Sequence, residues 1–335
     1  MQKFENSNTW FPERKWRATT GGVTDLEFLE FDEQAQRLVG YDQDYLQLTD
    51  GQFRGRFVSC YLGDVSLHFE RANQALSQSI AASTNTYSIG VVLSGAAPFR
   101  VDGIDIDQLS LFVVPPHTSF HLFSPKDGAI LAVVLEKFVL EEAIRDMPRI
   151  RDWVLGLGQQ VGCLHAPMIA DRLRHDAKNA LFASCNDSEY GTDPASHGQA
   201  LTNSFLTCLF LEFSAQHSLD LAGHSKGFRR FAAIKSKLEA SLPQNASPEE
   251  ISNGLGISKR SLQYAFSSEV SLGVAGYLRH SRLRSVRRGL LDPTRRNISI
   301  GDIAAQYGYW SWSHFSQQYS KHFGERPSDT RLRLT

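Results

Sequence analysis

Two stretches decide how this chain is read: Ser247–Glu269, SPEEISNGLGISKRSLQYAFSSE, and Ser299–Phe323, SIGDIAAQYGYWSWSHFSQQYSKHF. Each opens on a serine with an acid three residues on, Ser247 with Glu250 and Ser299 with Asp302. A serine hydroxyl there accepts an orphan amide of the first helical turn, and the acid answers the positive end of the helix dipole. Pro248 suits that turn, where its missing N–H is not needed. Gly256 and Gly308 each follow a short helix, where glycine admits the left-handed backbone that stops a helix and redirects the chain. A second helix is predicted after each glycine. Leu262, Ala265 and Phe266 share its inner face in the first unit, and Phe315, Gln318 and Tyr319 in the second. The opposite faces carry Lys259, Arg260, Gln263 and Tyr264, then Trp312, Ser313, Ser316 and Gln317. Arginine and glutamine pair bidentately with guanine and adenine edges. A short helix, a glycine turn and a polar-faced helix is the helix-turn-helix plan, whose second helix enters the major groove.

Between the units lies Val274–Leu291, VAGYLRHSRLRSVRRGLL. Tyr277, Leu278, Val286, Leu290 and Leu291 can bury one side, which leaves Arg279, Arg282, Arg284, Arg287 and Arg288 mostly outside. A solvated charged face is one reading. DNA phosphate contacts by Lys259, Arg279, Arg282, Arg287, Arg288 and His314 are the favoured one, because this helix joins two DNA readers and backbone charge supplies much of the affinity.

The charge distribution agrees. From Lys226 onward 18 Lys and Arg stand against 8 Asp and Glu, a balance of +10, which leaves −11 on the rest of a chain whose net charge is −1. An acidic front joined to a basic tail suggests two tasks, the basic one directed at a polyanion. At 335 residues the chain is long enough for two or three domains. Apolar residues at 41% and charged residues at 21% exclude a disordered or low-complexity polymer. No run of apolar residues is long enough for a membrane helix, and Met1–Lys15 lacks the apolar stretch of a signal peptide. Cys60, Cys163, Cys185 and Cys208 form no CxxC pair, so neither a disulfide framework nor a zinc site is suggested, and a reducing cytoplasm is expected.

The front half has a different texture. Residues 1 to about 50 show no clear pattern. Phe57–Leu62, Val65–Phe69, Ser88–Leu93, Leu109–Val114 and Ile130–Leu135 are strand-like runs separated by turn signals at Gly63-Asp64, Asp102-Gly103 and Pro125–Gly128. Seven or so short strands read as a sandwich or barrel. Helices are expected over Glu136–Met147, Ala166–Ser184 and Pro194–Gln216. In the last, Leu201, Phe205, Leu209 and Phe213 form one apolar stripe, which packing on the barrel and a dimer seam explain equally. Leu221–Lys226 reads as a linker. His117 and His121, four apart after Pro115-Pro116, fall on one strand face. Without a third and fourth ligand they read as structural, so no metal site is expected.

The tail resembles the AraC/XylS family of transcriptional regulators over roughly Gly227–Arg333. The residues that carry the likeness are Gly256-Ile257-Ser258, Leu262, Phe266, Tyr277-Leu278, Arg282-Leu283, Ile303-Ala304, Gly308-Tyr309, Ser313-His314-Phe315-Ser316, Phe323-Gly324 and Pro327-Ser328. The resemblance implies seven helices, with recognition helices in successive major grooves. It makes Arg260, Gln263, Tyr264, Trp312, Ser313, Ser316 and Gln317 the base-facing positions. The chain departs from the family at Ser271 and Gly273-Val274, where Gly and Ser-Pro are usual, and at Thr330, where an aromatic is usual. Phe53–Ser79, Leu262-Gln263-Tyr264-Ala265-Phe266, Val286-Arg287-Arg288 and Gly308-Tyr309-Trp310 are further similar to the ethanolamine-utilisation regulators of this family, which answer ethanolamine and adenosylcobalamin.

The expectation is an α+β chain. A cupin-like β-barrel with a helical dimerisation segment covers 1–220, a linker 221–226, and an all-α double helix-turn-helix domain 227–335. It is not an enzyme and has no catalytic residues. It is a cytoplasmic, nucleoid-associated, sequence-specific activator that binds double-stranded DNA as a homodimer, recruits RNA polymerase, makes no membrane contact and answers a small-molecule effector. Arg145 and Arg149, His68, Arg71 and Trp16 are candidates to line the effector site. A cyclic-dinucleotide-responsive regulator using Arg145 and Arg149, a constitutive DNA-binding dimer and a metal-dependent cupin enzyme with a DNA-binding tail are the alternatives.

Overall fold

The computed structural model describes residues 22–186, 193–215, 226–241 and 247–333, without the side chains of 186, 213–215, 226 and 239–241. Trp16, most of the expected linker and the Phe213 side chain lie outside the described residues.

Alternation sets the front half. In chain order it holds β1 (Val23–Phe28), α1 (Phe31–Ala35), β2 (Asp42–Gln47), β3 (Gly55–Leu62), β4 (Val65–Ala72), β5 (Leu76–Ala81), β6 (Thr86–Ser94), β7 (Phe99–Val101), β8 (Ile104–Ile106), β9 (Ser110–Val114), β10 (Ser119–Ser124), β11 (Gly128–Glu136), α2 (Lys137–Ala143), α3 (Pro148–Gly156), β12 (Gly162–His165), α4 (Pro167–Asn186) and α5 (Pro194–Ala215). The strands make two antiparallel sheets, ordered β1-β3-β4-β11-β6-β9-β12 and β2-β5-β10-β7-β8. Along β4, Val65, Leu67 and Phe69 join the apolar layer beneath α2–α5. Glu70 lies on the other side of that strand and accepts a hydrogen bond from Tyr45 of the second sheet at 2.9 Å. Residues of both sheets, among them Ile80, Val92, Phe112, Leu122 and Ile130, fill the space between them.

The five strand-like runs and the three turn signals stand where the alternation placed them. Two places differ. The helix expected over Glu136–Met147 ends at Ala143, and Pro148 opens α3 instead; the proline disfavours helical backbone at Met147, so one helix does not run on into the next. His117 does not share a strand face with His121. It lies before β10 with left-handed backbone, φ 60°. In α5, Leu201, Phe205 and Leu209 pack into the layer on the seven-stranded sheet, which assigns these three stripe residues to the monomer's own core.

The tail is helical: α6 (Lys226–Ser241), α7 (Pro248–Leu255), α8 (Lys259–Val270), α9 (Val274–Leu291), a 3-10 turn at Pro293–Arg295, α10 (Ile300–Gln306), α11 (Trp312–Phe323) and α12 (Pro327–Leu332). It does not hang free of the front. One core joins Leu46 and Phe123 of the second sheet, and Leu48 and Ala75 beside its strands, to Phe228 and Phe231 of α6 and to Leu262 and Phe266 of α8. A second joins Phe31, Tyr45, Phe53 and Leu76 to Leu283, Val286, Phe315, Tyr319 and Phe323. Shared apolar cores of this kind fix the orientation of the two halves.

Candidate nucleic-acid interface

The local chemistry of both helix-turn-helix units follows from their caps. Ser247 and Glu250 close a reciprocal capping box on α7, and the Ser299 hydroxyl accepts the Asp302 amide at 3.1 Å on α10. Gly256 and Gly308 adopt φ 64° and 85°. The chain then turns, and the Ile257 amide reaches back to the Ser252 carbonyl at 3.1 Å. Ser258 caps α8 by accepting the Ser261 amide at 3.1 Å. Each second helix is pinned by its inner face. Leu262, Ala265 and Phe266 are fully buried under α8, as are Phe315 and Tyr319 under α11. Gln318, expected on that inner face, is only half-buried and pairs with His314 at 2.8 Å.

With those faces buried, the opposite ones are open. Arg260, Gln263 and Tyr264 of α8 are exposed, as are Trp312, Ser313 and Gln317 of α11, while Ser316 is half-buried. Trp310, in the turn ahead of α11, is 83% exposed. Lys259 stands at the first turn of α8 and pairs with Glu249.

The six residues expected on phosphates separate into two groups. Arg279, Arg282 and His314 come together with Tyr309, Trp310 and Gln318 around a groove of about 270 Å³ between α9 and the second unit's turn. The Arg282 guanidinium lies over the Tyr309 ring at 5.9 Å, and Lys259 stays on the open face of the first unit. The other half of α9 faces the front domain. Arg287 is 4% exposed. It donates to Glu30 at 2.8 and 2.6 Å, to Tyr319 Oη at 3.1 Å and to Thr330 Oγ1 at 3.2 Å. It also pairs with Glu325 at 2.8 Å and caps the Phe323 ring at 4.5 Å. Burial pushes its pKa down, but the bonds to Glu30 and the charge around it, that of Glu30 and Glu325 included, together outweigh that and hold it above the ordinary arginine value. Arg288 donates to Asp32 at 2.8 and 2.7 Å and to Asp44 at 2.9 Å. Arg284 reaches the same two carboxylates. Asp44 loses solvent, which alone would raise its carboxyl; hydrogen bonds from Arg284 and Arg288 hold it below the usual range.

The expectation that Arg284 and Arg287 lie outside is therefore corrected, and the phosphate role expected of Arg287 with it: an isolated buried guanidinium is too costly, so it takes partners, and Glu30 and Glu325 supply them. Arg288 is half-exposed but already holds two carboxylates of the front domain. Thr330 fits this arrangement where an aromatic is usual, because its hydroxyl bonds Tyr319 Oη at 2.8 Å and accepts from Arg287. Ser271, in a place where glycine is usual, takes left-handed backbone at φ 53°.

The candidate effector residues are not brought together. Arg145 lies past the end of α2, exposed and paired with Glu142 at 3.4 Å, while Arg149 belongs to α3, so the two do not share a helix. His68 is buried between the sheets, bonds Ser66 Oγ at 2.8 Å and stacks on Phe57. Burial lowers its pKa to about 4. Arg71 is half-buried on the same strand. Around His68 the inter-sheet space is polar. Tyr45 Oη bonds both Glu70 and Gln43, Gln34 Nε2 donates to Glu70 at 2.9 Å, and Tyr41 Oη bonds Ser88. His121, on the outer face, bonds Ser77 Oγ at 2.8 Å and packs on Phe231 of α6, and burial pushes its pKa well down. One group that the sequence did not disclose is Asp50, His280 and His322, whose possible ligand atoms lie within 4.8 Å of one another. They come from a loop, α9 and α11, and no spacing rule joins residues so far apart.

A helix-turn-helix domain model matches residues 251–333. The XylDLEGF operon transcriptional activator of Pseudomonas putida is 35% identical over 106 residues, 32% of this chain and 33% of that one. The chain thus spans about a third of the length of that relative. The XylDLEGF operon transcriptional activator 2 of Pseudomonas putida is 31% identical over 108 residues, 32% of this chain and 69% of that one. The crystal structure of the AraC-like transcriptional activator CuxR aligns with 78% of this chain and 94% of its own at 17% identity, with a TM-score of 0.41. Two capped helix-turn-helix units with open polar faces, joined by one helix and matched in sequence to the XylDLEGF operon activators, place the chain in the AraC/XylS family of transcription regulators.

Proposed function

We propose that this chain is a sequence-specific transcription activator that reads two successive major grooves of promoter DNA with α8 and α11, and that its front domain binds a small-molecule effector. One observation carries the reading: the exposed faces Arg260, Gln263, Tyr264 and Trp312, Ser313, Gln317 sit on helices whose opposite sides are locked in core. Arg260 is suited to guanine, and Gln263 and Gln317 to adenine. Lys259, Arg279, Arg282 and His314 are the phosphate contacts that fix register. Arg288 joins them only where the front domain releases it.

The polar cluster between the sheets, around His68, Glu70, Tyr45 and Tyr41, is the effector site we favour over the separated Arg145 and Arg149. Enclosed hydrogen-bonding groups discriminate a ligand better than solvated arginines. Differential affinity for two arrangements of front and tail would let that ligand change DNA binding. A second copy is proposed to cover the groove of about 510 Å³ between α2 and α5, lined by Phe138, Met147 and Leu206, giving a homodimer that recruits RNA polymerase from the cytoplasm.

Selection of binding sites from random duplex DNA by the full chain tests the DNA reading. Recovery of one bipartite motif supports it, and a motif-free pool refutes it. A melting-temperature screen with amino alcohols including ethanolamine, adenosylcobalamin, cyclic dinucleotides, sugars and aromatic acids tests the effector. A ligand at a hundred times its Kd adds about 2.7 kcal/mol of stability. A hit that His68→Asn abolishes places it between the sheets, and a hit unchanged by that substitution places it elsewhere.

A further inference from the structure

Asp50 sits in the loop after β2, and that loop is tied to the tail. Gln47 Nε2 donates to the carbonyls of Thr49, Gly51 and His322 at 2.7, 2.8 and 2.9 Å, and the Gly51 amide donates to the His322 carbonyl at 3.0 Å. The Asp50 carboxylate is thereby set against two imidazoles. His322 Nδ1 lies 3.0 Å from Asp50 Oδ1, and His280 Nε2 lies 4.0 Å from the same oxygen. The rings are 3% and 1% exposed for His280 and His322, and stack with centroids 4.1 Å apart. Both rings thus aim a nitrogen at one carboxylate at the rim of a buried seam, and their far nitrogens, His280 Nδ1 and His322 Nε2, have no hydrogen-bond partner among the described residues.

We propose that Asp50, His280 and His322 bind one divalent cation of the zinc class, which clamps the front domain to α9 and α11. Two imidazoles and a carboxylate are the donor set of zinc and its borderline neighbours, cobalt and nickel, rather than of calcium or magnesium. Three protein ligands leave a coordination position for water on the solvent side, where Asp50 is partly exposed, so the ion exchanges with its surroundings. Two cations now occupy the carboxylate's neighbourhood. Lys321 Nζ lies 3.1 Å from Asp50 Oδ2, and Arg279 Nη2 lies 3.4 Å from His280 Nε2. Lys321 is 76% exposed and can swing into water when the ion enters. It competes for Asp50, so its removal must strengthen binding, which a seam of purely structural histidines does not predict.

The test uses the full chain stripped with chelator and titrated with Co²⁺ and Zn²⁺. The expected result is one ion per chain, visible Co²⁺ bands of a low-coordinate site, and a melting temperature raised on the order of 5 °C at saturation. Asp50→Asn, nearly isosteric at a half-open position, is expected to weaken binding at least tenfold, as is His280→Gln, and Lys321→Ala to tighten it severalfold. Absence of binding in both the wild type and Lys321→Ala overturns the proposal. So does binding that Asp50→Asn and His280→Gln leave unchanged, which would put the ion on other residues.

Discussion

Replacing Arg287 by Met separates a docking role from a DNA role. Methionine keeps an unbranched apolar stem over the Phe323 ring but removes the charge and every donor. Lost are the bonds to Glu30 at 2.8 and 2.6 Å, to Tyr319 at 3.1 Å and to Thr330 at 3.2 Å, and the pair with Glu325 at 2.8 Å. Glu30 and Glu325 stay buried, at 8% and 10% side-chain exposure, sharing Arg333, with the Thr330 hydroxyl still donating to Glu325. Breaking a buried pair by removing one partner costs about 3–5 kcal/mol, and Arg333 should keep the loss near the lower end, about 3 kcal/mol. Adding Glu30→Gln removes the stranded charge and is expected to return about 1 kcal/mol or more. Urea unfolding of the two variants and the wild type measures both quantities. DNA affinity measured against salt in folded protein completes the test. Each phosphate contact contributes close to one unit to the slope of log K on log salt, and Arg287 is expected to contribute none. A stability loss below about 1 kcal/mol together with a slope shallower by about one unit would refute the reasoning and return Arg287 to the phosphates.

Arg260→Ala is expected to cost about 1–3 kcal/mol on the cognate site and relax selectivity at one base pair, and equal loss on random DNA would instead mark a phosphate contact. Arg282→Ala should weaken binding to all sequences alike and flatten the salt slope by about one unit, which filter binding at several salt concentrations reads directly. Burial lowers the His68 pKa to about 4 from the 6.5 of a free imidazole, so the unfolded chain takes up the proton first. That stability is whole above pH 6.5 and is lost as pH falls toward 4, about 2 kcal/mol of it by pH 5, so the urea midpoint should drop less between pH 7 and 5 in His68→Asn than in the wild type. Ser271→Gly, which relieves left-handed backbone at φ 53°, is expected to stabilise the tail by about 0.5–1 kcal/mol, and a lower melting temperature would show that the hydroxyl matters more than the strain.

The tail was legible because its signals are local. Ser247 with Glu250, Gly256, Ser299 with Asp302 and Gly308 lie within a few residues of the turns they make, and their helical phase alone decides which side of α8 meets solvent. The strand runs were legible for the same reason. What stayed hidden depends on distant partners. Five arginines on α9 announce a charged helix, but sequence spacing does not say that Glu30, Asp32 and Asp44 wait opposite three of them, least of all when those acids fall in a stretch with no periodic pattern. The apolar stripe of α5 reads the same against a sheet as against a second copy. Asp50, His280 and His322 belong to three segments that only the docking of tail on front brings within one ion's reach.

Footprinting of the full chain on its selected DNA, with Arg260→Ala and Gln317→Ala beside the wild type, tests the central claim most directly. Two protected clusters about 10 base pairs apart are expected, with Arg260→Ala altering contacts in one and Gln317→Ala in the other. A single cluster, or two variants that disturb the same base pairs, would contradict reading of the duplex by two helix-turn-helix units.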